Sequence, residues 1–252
     1  MQTPKTALVT GASRRIGRAI ALDLANKGYD VAVHYHGSAD EAEEVVNLIQ
    51  VGGENAVALQ ADLANPEETL GLIEAAENAL GQPLTLLVNN ASVFERDEAH
   101  TFNIASWDEH LSVNLRAPAL LSQAFAARLP AGVKGSIINL IDQRVLKPNP
   151  QYFSYTVSKN GLWGITKTLA QALAPNIRVN AIGPGPTLQN VRQTSEMFEE
   201  EAAKTLLCQG PALEEICGAV RFLLETPSLT GQMIALDGGQ HLAWQTPDIL
   251  ED

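Results

Sequence analysis

The chain alternates short, continuously apolar runs with stretches whose apolar residues recur at helical spacing. Lys5 to Thr10 reads as a first strand, and Arg15 to Lys27 as a helix closed by Gly28. Further strands are expected over Asp30 to Tyr35, Ala56 to Gln60, Leu84 to Asn89, Ser136 to Ile141, Ile177 to Ile182 and Gln232 to Leu236. Helices are expected over Ala39 to Gln50, Pro66 to Leu80, Ser106 to Arg128 with a break at Pro118, Tyr152 to Leu173, and Ala212 to Leu224. Strands that are apolar throughout are buried on both faces, and alternation with helices is how a parallel sheet achieves that burial. The pattern predicts one α/β domain over residues 1–252, a Rossmann-like doubly wound parallel sheet of about seven strands with helices on both faces. Ligands are then expected at the carboxyl ends of the strands. The long irregular stretch 183–211 is expected to be a substrate loop, with a short acidic helix over Ser195 to Lys204.

Composition narrows the classes. In 252 residues, 45% hydrophobic and 18% charged, there is enough apolar material for a sizeable core. A formal net charge of -12 argues against a nucleic-acid partner, whose phosphates need Lys and Arg. Cys208 and Cys217 form no disulfide framework and are expected to be packing residues. His100, His110 and His241 lack metal-ligand spacing; they are expected at the surface or an edge, and no metal is expected. The first residues carry no apolar signal core, and no apolar run approaches the ~18 residues of a membrane span. A cytoplasmic protein with no membrane partner is expected.

The chemistry concentrates in four places. Thr10-Gly11-Ala12-Ser13-Arg14-Arg15-Ile16-Gly17 follows the first strand; its glycines permit a sharp turn and close helix approach, so helix-start amides can face a pyrophosphate. Asn89-Asn90-Ala91-Ser92 follows the fourth strand. Tyr155 and Lys159, four residues apart, share one helix face, where the ammonium can favour the phenolate. Asp142 lies thirteen residues before Tyr155.

Together these motifs resemble the short-chain dehydrogenase/reductase family, over nearly the whole chain and through Pro184-Gly185 to Asp237-Gly238-Gly239. The resemblance implies a cofactor cradle of Gly11, Ser13, Arg14, Arg15, Ile16, Gly17, Asn90, Ala91, Ser92, Tyr155, Lys159, Pro184 and Gly185. Asp62 and Leu63 match residues at the adenine, although Asp62 reads equally as a helix cap. Asn114 matches an asparagine that kinks a helix and holds a water in a proton relay to the lysine; as a bare residue it reads as a helix-interior asparagine bonded to backbone. The second strand ends at His34-Tyr35-His36-Gly37-Ser38 without the acid that NAD-using members place there. With Arg14, His36 and Ser38 nearby, NADP(H) is the implied cofactor.

Two departures sharpen the resemblance. Arg15 stands where the family usually has glycine, and Asp142 where it usually has serine. With Asn90-Ala91-Ser92-Val93-Phe94, they are similar to the pteridine reductase branch. That implies a small-molecule pterin or folate substrate held by Arg15, Ser92, Phe94, Asp142 and Tyr155, and reduction of a C=N bond. Phe94 on its own also reads as an ordinary core residue. The rival readings are a reductase of ketones or 3-oxoacyl substrates and a non-catalytic NADP-binding protein. The resemblance also implies a homotetramer.

Overall fold

The computed structural model describes residues 4–190 and 193–246. Seven parallel strands form one sheet: β1 (Thr6–Val9), β2 (Asp30–Tyr35), β3 (Ala56–Gln60), β4 (Leu86–Asn89), β5 (Gly135–Leu140), β6 (Ile177–Pro184) and β7 (Met233–Leu236). Their order is β3-β2-β1-β4-β5-β6-β7. Strand β1 therefore pairs with β2 on one side and β4 on the other, through Val9 opposite both Val33 and Val88. The winding reverses at this point, which opens a crevice at the carboxyl ends.

Helices α1 (Arg15–Ala25), α2 (Ala39–Val51) and α8 (Leu213–Glu225) cover one face. Helices α3 (Pro66–Leu80), α5 (Ala117–Arg128) and α6 (Phe153–Leu173) cover the other. The first core packs Ile20, Leu24, Val45 and Val220 on Val9, Val31 and Val33. The second packs Leu72, Ile73, Leu121 and Phe125 on Leu87 and Ile137. Every residue of β4 and β5 is buried; they are mostly aliphatic, and buried Asn89 and Asn139 bond to each other at 2.8 Å. Each such aliphatic side chain contributes roughly 1.5–3 kcal/mol on burial. Local signals set the ends of α3: Asn65 accepts the Glu67 N–H at 3.0 Å, Pro66 opens the helix, and left-handed Gly81 closes it.

Several expected boundaries shift. Strand β1 is shorter than Lys5 to Thr10, α1 ends at Ala25, and β6 runs on through Gly183–Pro184 into the stretch expected to be loop. The expected acidic helix forms as α7 (Ser195–Ala203). The helix expected from Ser106 starts earlier, as α4 (Ile104–Leu111), and its break is not at Pro118. It is a wide π turn at Ser112–Arg116, before α5. Pro118 supplies no N–H to the Asn114 carbonyl four residues earlier, and the wide turn absorbs that missing bond. Two side chains also contradict expectation. His110 is fully buried, because it makes hydrogen bonds at both ring nitrogens, and Cys208 is exposed on a left-handed turn rather than packed.

Candidate active site

Loops after β1, β4, β5 and β6 enclose a cleft of about 1360 Å³. That exceeds the ~300–1,000 Å³ typical of one small ligand, so the cleft has room for a nucleotide and a second ring system side by side.

At the β1 end, Gly11 turns at φ +61° and its N–H donates to buried His34 Nδ1 at 3.0 Å. That bond places the imidazole proton on Nε2, 3.2 Å from the Ala61 carbonyl. Burial lowers the His34 pKa from 6.5 to about 4, so the ring stays neutral. A β-carbon at Gly17 would lie 2.2 Å from the Gly11 carbonyl oxygen and 2.5 Å from Asn90 Nδ2, so only glycine lets α1 pack on the turn. Asn90 is committed to that turn and donates to the Thr10 and Gly11 carbonyls at 2.8 and 3.1 Å. Arg14, the residue before α1, is extended at φ -145° and gives no side-chain cap. The first amides of α1 are thus available to an anion in the cleft, and the helix dipole favours one. This arrangement fits a dinucleotide pyrophosphate.

Arg15 takes the left-handed φ of +56°. This explains the glycine of the resembled family at that position; a non-glycine residue there costs roughly 1–2 kcal/mol. Its guanidinium spans the cleft and donates to the carbonyls of Gln189 and Leu188 at 2.8 and 3.1 Å. Ser13, Ile16, His36, Ser38, Asp62, Leu63, Ala91 and Ser92 line the same cleft, as do Pro184 and Gly185. Asp62 Oδ1 accepts the Ala64 N–H at 2.8 Å, which organises the turn before α3. Arg14 lies 3.8 Å from Glu41 of α2, a cleft-lining carboxylate that sequence reasoning missed.

At the β5 end, the Tyr155 hydroxyl donates to Asp142 Oδ2 at 2.8 Å, and Arg144 N–H donates to Asp142 Oδ1 at 2.8 Å. Lys159 Nζ is buried 5.7 Å from the Tyr155 ring centre and donates to the Leu140 carbonyl at 2.9 Å. Desolvation lowers the Lys159 pKa from 10.5 to about 8, against the opposing pull of Asp142. The expected stabilisation of the phenolate is reversed here. Burial first, then the Asp142 charge and hydrogen bond, push the Tyr155 pKa well above 10. Tyr155 is held as a proton donor.

Asn114, in the π turn, grips Val93 with its side chain. Its Oδ1 accepts the Val93 N–H at 2.8 Å, and its Nδ2 donates to the Val93 carbonyl at 2.9 Å and to Ser158 Oγ at 3.1 Å. It thereby sets the backbone that carries Phe94. Phe94 stacks on Tyr152, with ring centres 4.2 Å apart and planes at 8°, and meets Tyr155 edge-on at 4.6 Å. Tyr152 and Arg144, both at the cleft, were also missed: an aromatic three residues before Tyr155 reads as core, and a lone arginine as solvated surface. Among the described residues, no three His, Cys, Asp or Glu side chains converge in a metal-holding group.

Residues 5–200 match the short chain dehydrogenase family model. A 3-oxoacyl-(acyl-carrier-protein) reductase of Staphylococcus aureus is 34% identical over 250 residues, spanning 96% of this chain and all of that protein. The crystal structure of FolM alternative dihydrofolate reductase 1 from Brucella suis, in complex with NADP, is 51% identical. It superposes with a TM-score of 0.95 over 99% of both chains. A blue fluorescent protein from a metagenomic library, in complex with NADPH, is 33% identical with a TM-score of 0.87, over 94% of this chain and 98% of that one.

Proposed function

Because the chain belongs to the short-chain dehydrogenase family, we propose that it is an NADP-dependent reductase that acts on a C=N bond of a dihydropterin or dihydrofolate. The observation that carries this reading is the Tyr155–Asp142 hydrogen bond of 2.8 Å, at a position where the resembled family usually has serine. The 51% identity to a protein named as a dihydrofolate reductase supports it. The 34% identity to a 3-oxoacyl reductase keeps carbonyl reduction as the second reading.

NADPH, when bound, supplies the hydride to a ring carbon. The chain supplies position and a proton. Residues 11–17 present α1 amides and Arg14 to the phosphates. Phe94, braced by Asn114 through Val93, offers an aromatic wall to a flat ring. The Tyr155–Asp142 pair shares a proton that it presents to the adjacent ring nitrogen, so C=N becomes CH–NH. Buried Lys159 offsets the negative charge left on the pair. A carboxylate at residue 142 would instead oppose the alkoxide formed from a ketone.

Asp142→Ser tests the reading. Turnover of dihydrobiopterin and dihydrofolate should fall about 10²-fold to 10⁴-fold while NADPH affinity holds. Slow reduction of an activated diketone should appear. A wild-type enzyme that prefers the diketone or a 3-oxoacyl thioester, with the serine variant improving it, would establish the carbonyl reading instead. We also infer a homotetramer, with α4, α5 and α6 at the interfaces. Exposed Ile104 and Phe102 beside these helices support it.

A further inference from the structure

Five cationic side chains line the cleft, and four of them are engaged. Arg14 faces Glu41, Arg15 holds the Leu188 and Gln189 carbonyls, Arg96 lies 3.4 Å from Glu98, and Lys159 donates to Leu140. Arg144 differs. Its Nε and Nη1 are buried without a hydrogen-bond partner, and among the described residues no carboxylate lies within 4.0 Å of its guanidinium. The aromatic rings beside it give cation–π contacts but accept no hydrogen bond from the two buried N–H groups that lack partners. Phe94 and Tyr152 are parallel and 4.2 Å apart, and the guanidinium carbon is 5.3 Å from one ring centre and 4.9 Å from the other. A group nearly equidistant from both centres lies beside the stack and is not centred over either outer face, where a cation–π contact is strongest.

A guanidinium is charged at every working pH, and leaving it half-buried and unpaired is unfavourable. The arrangement persists because the backbone fixes it. Arg144 follows β5 in the short turn Gln143–Val145, and Asp142 accepts its N–H with the same carboxylate that receives the Tyr155 hydroxyl. The free charge is thus tied to the catalytic pair, on the Phe94–Tyr152 side and apart from the phosphate-side arginines. The chain as a whole carries a net charge of -12, which repels anions, so a local unpaired cation is what an anionic substrate would need.

We infer that Arg144 is a specificity residue that binds a carboxylate on the substrate's tail and selects folate-type over neutral-tailed pterin substrates. This rests on the proposed pterin and folate reduction. A fork-shaped guanidinium suits a carboxylate, which it can grip through two N–H groups.

The test compares dihydrofolate, which ends in glutamate carboxylates, with dihydrobiopterin, whose tail is uncharged. The readout is the ratio of kcat/KM for the two, in wild type, Arg144→Met and Arg144→Lys, with NADPH affinity and Tm recorded for each. A charge-assisted hydrogen bond predicts that the ratio falls about 10-fold to 100-fold in Arg144→Met, through KM for dihydrofolate. Arg144→Lys should keep part of the preference, since the charge remains. An unchanged ratio, with both substrates still turned over, overturns the inference. Equal losses of the ratio in the Lys and Met variants do so too, because packing rather than charge would then be responsible. A wild-type enzyme that reduces neither substrate overturns the proposed function before any variant is made. If Arg144→Met does not fold, the Lys variant decides alone: a partly reduced ratio supports charge recognition, and a ratio at the wild-type value or complete loss of the preference refutes it.

Discussion

At the scale of single residues, the site places charges where water would normally support them and leaves them with few partners. Lys159 is the clearest case. Its pKa in the fold is about 8 against 10.5 for the free side chain, so folding favours its neutral form. The native state then binds fewer protons than the unfolded chain between those values, and stability rises with pH across pH 8 to 10.5. At neutral pH the buried ammonium is a net cost, and Lys159→Met should raise Tm while turnover falls by at least 10²-fold. In the free enzyme kcat/KM should decline above pH about 8, as the ammonium is lost. A Tm below wild type for the Met variant would show that the lysine's bond to Leu140 outweighs its desolvation. A second charge balance lies between Arg14 and Glu41. Arg14→Ala should weaken NADPH about 10-fold or more beyond any effect on NADH, and Glu41→Gln should strengthen NADPH several-fold by removing a like charge from a 2′-phosphate. Titration of both cofactors against both variants checks this; equal effects on NADH and NADPH would remove the pair from phosphate selection.

At the scale of elements, α6 carries Tyr155 and Lys159 yet does not cap itself. Tyr152, just before it, is left-handed at φ +57° and gives no cap bond. Asp97, from the loop after β4, does the capping. Its Oδ1 accepts the Ser154 N–H at 3.1 Å, its carbonyl accepts the Phe153 N–H at 3.2 Å, and Oδ2 accepts the Ser154 hydroxyl. Buried His110 of α4 accepts the Glu95 N–H at Nε2 and lies 2.7 Å from Ser154 Oγ, so its proton sits on Nδ1 and points at Ser154. The loop that carries Phe94 and the helix that carries Tyr155 are therefore one hydrogen-bonded unit. Asp97→Ala should cost about 0.5–2 kcal/mol of stability, the usual cap effect, and lower kcat more than it weakens NADPH binding. Denaturant unfolding and cofactor titration measure the two separately, and unchanged kcat would show that the cap is structural only. The sequence could not reveal this cap, because Asp97 and Ser154 are 57 positions apart. Helix α3, capped by its own neighbours, has the boundaries its sequence predicts. The same rule covers the misplaced break near Pro118: the proline is visible, but the wide turn that accommodates it is set by packing on α6.

At the scale of the whole molecule, the doubly wound parallel sheet was legible because apolar strand runs alternate with helices, and a parallel sheet has few ways to wind. The pairing of Tyr155 with Asp142 was legible as spacing; the direction of the Tyr155 shift was not, since it depends on burial from every side. The inferred tetramer should appear in light scattering at four times the 27.0 kDa chain mass, and a monomer at working concentration would refute it. Arg15 shows what the assembled sheet makes cheap. Its guanidinium meets carbonyls 173 and 174 positions away. The sheet has already brought both segments to one edge, so closing this long ring costs little beyond the rotamer freedom of one side chain, on the order of 2 kcal/mol. Two exposed bonds to an arginine return a similar amount. The mouth of the cleft is thus fastened by a contact near thermal balance, whose release would require no strand or helix to move.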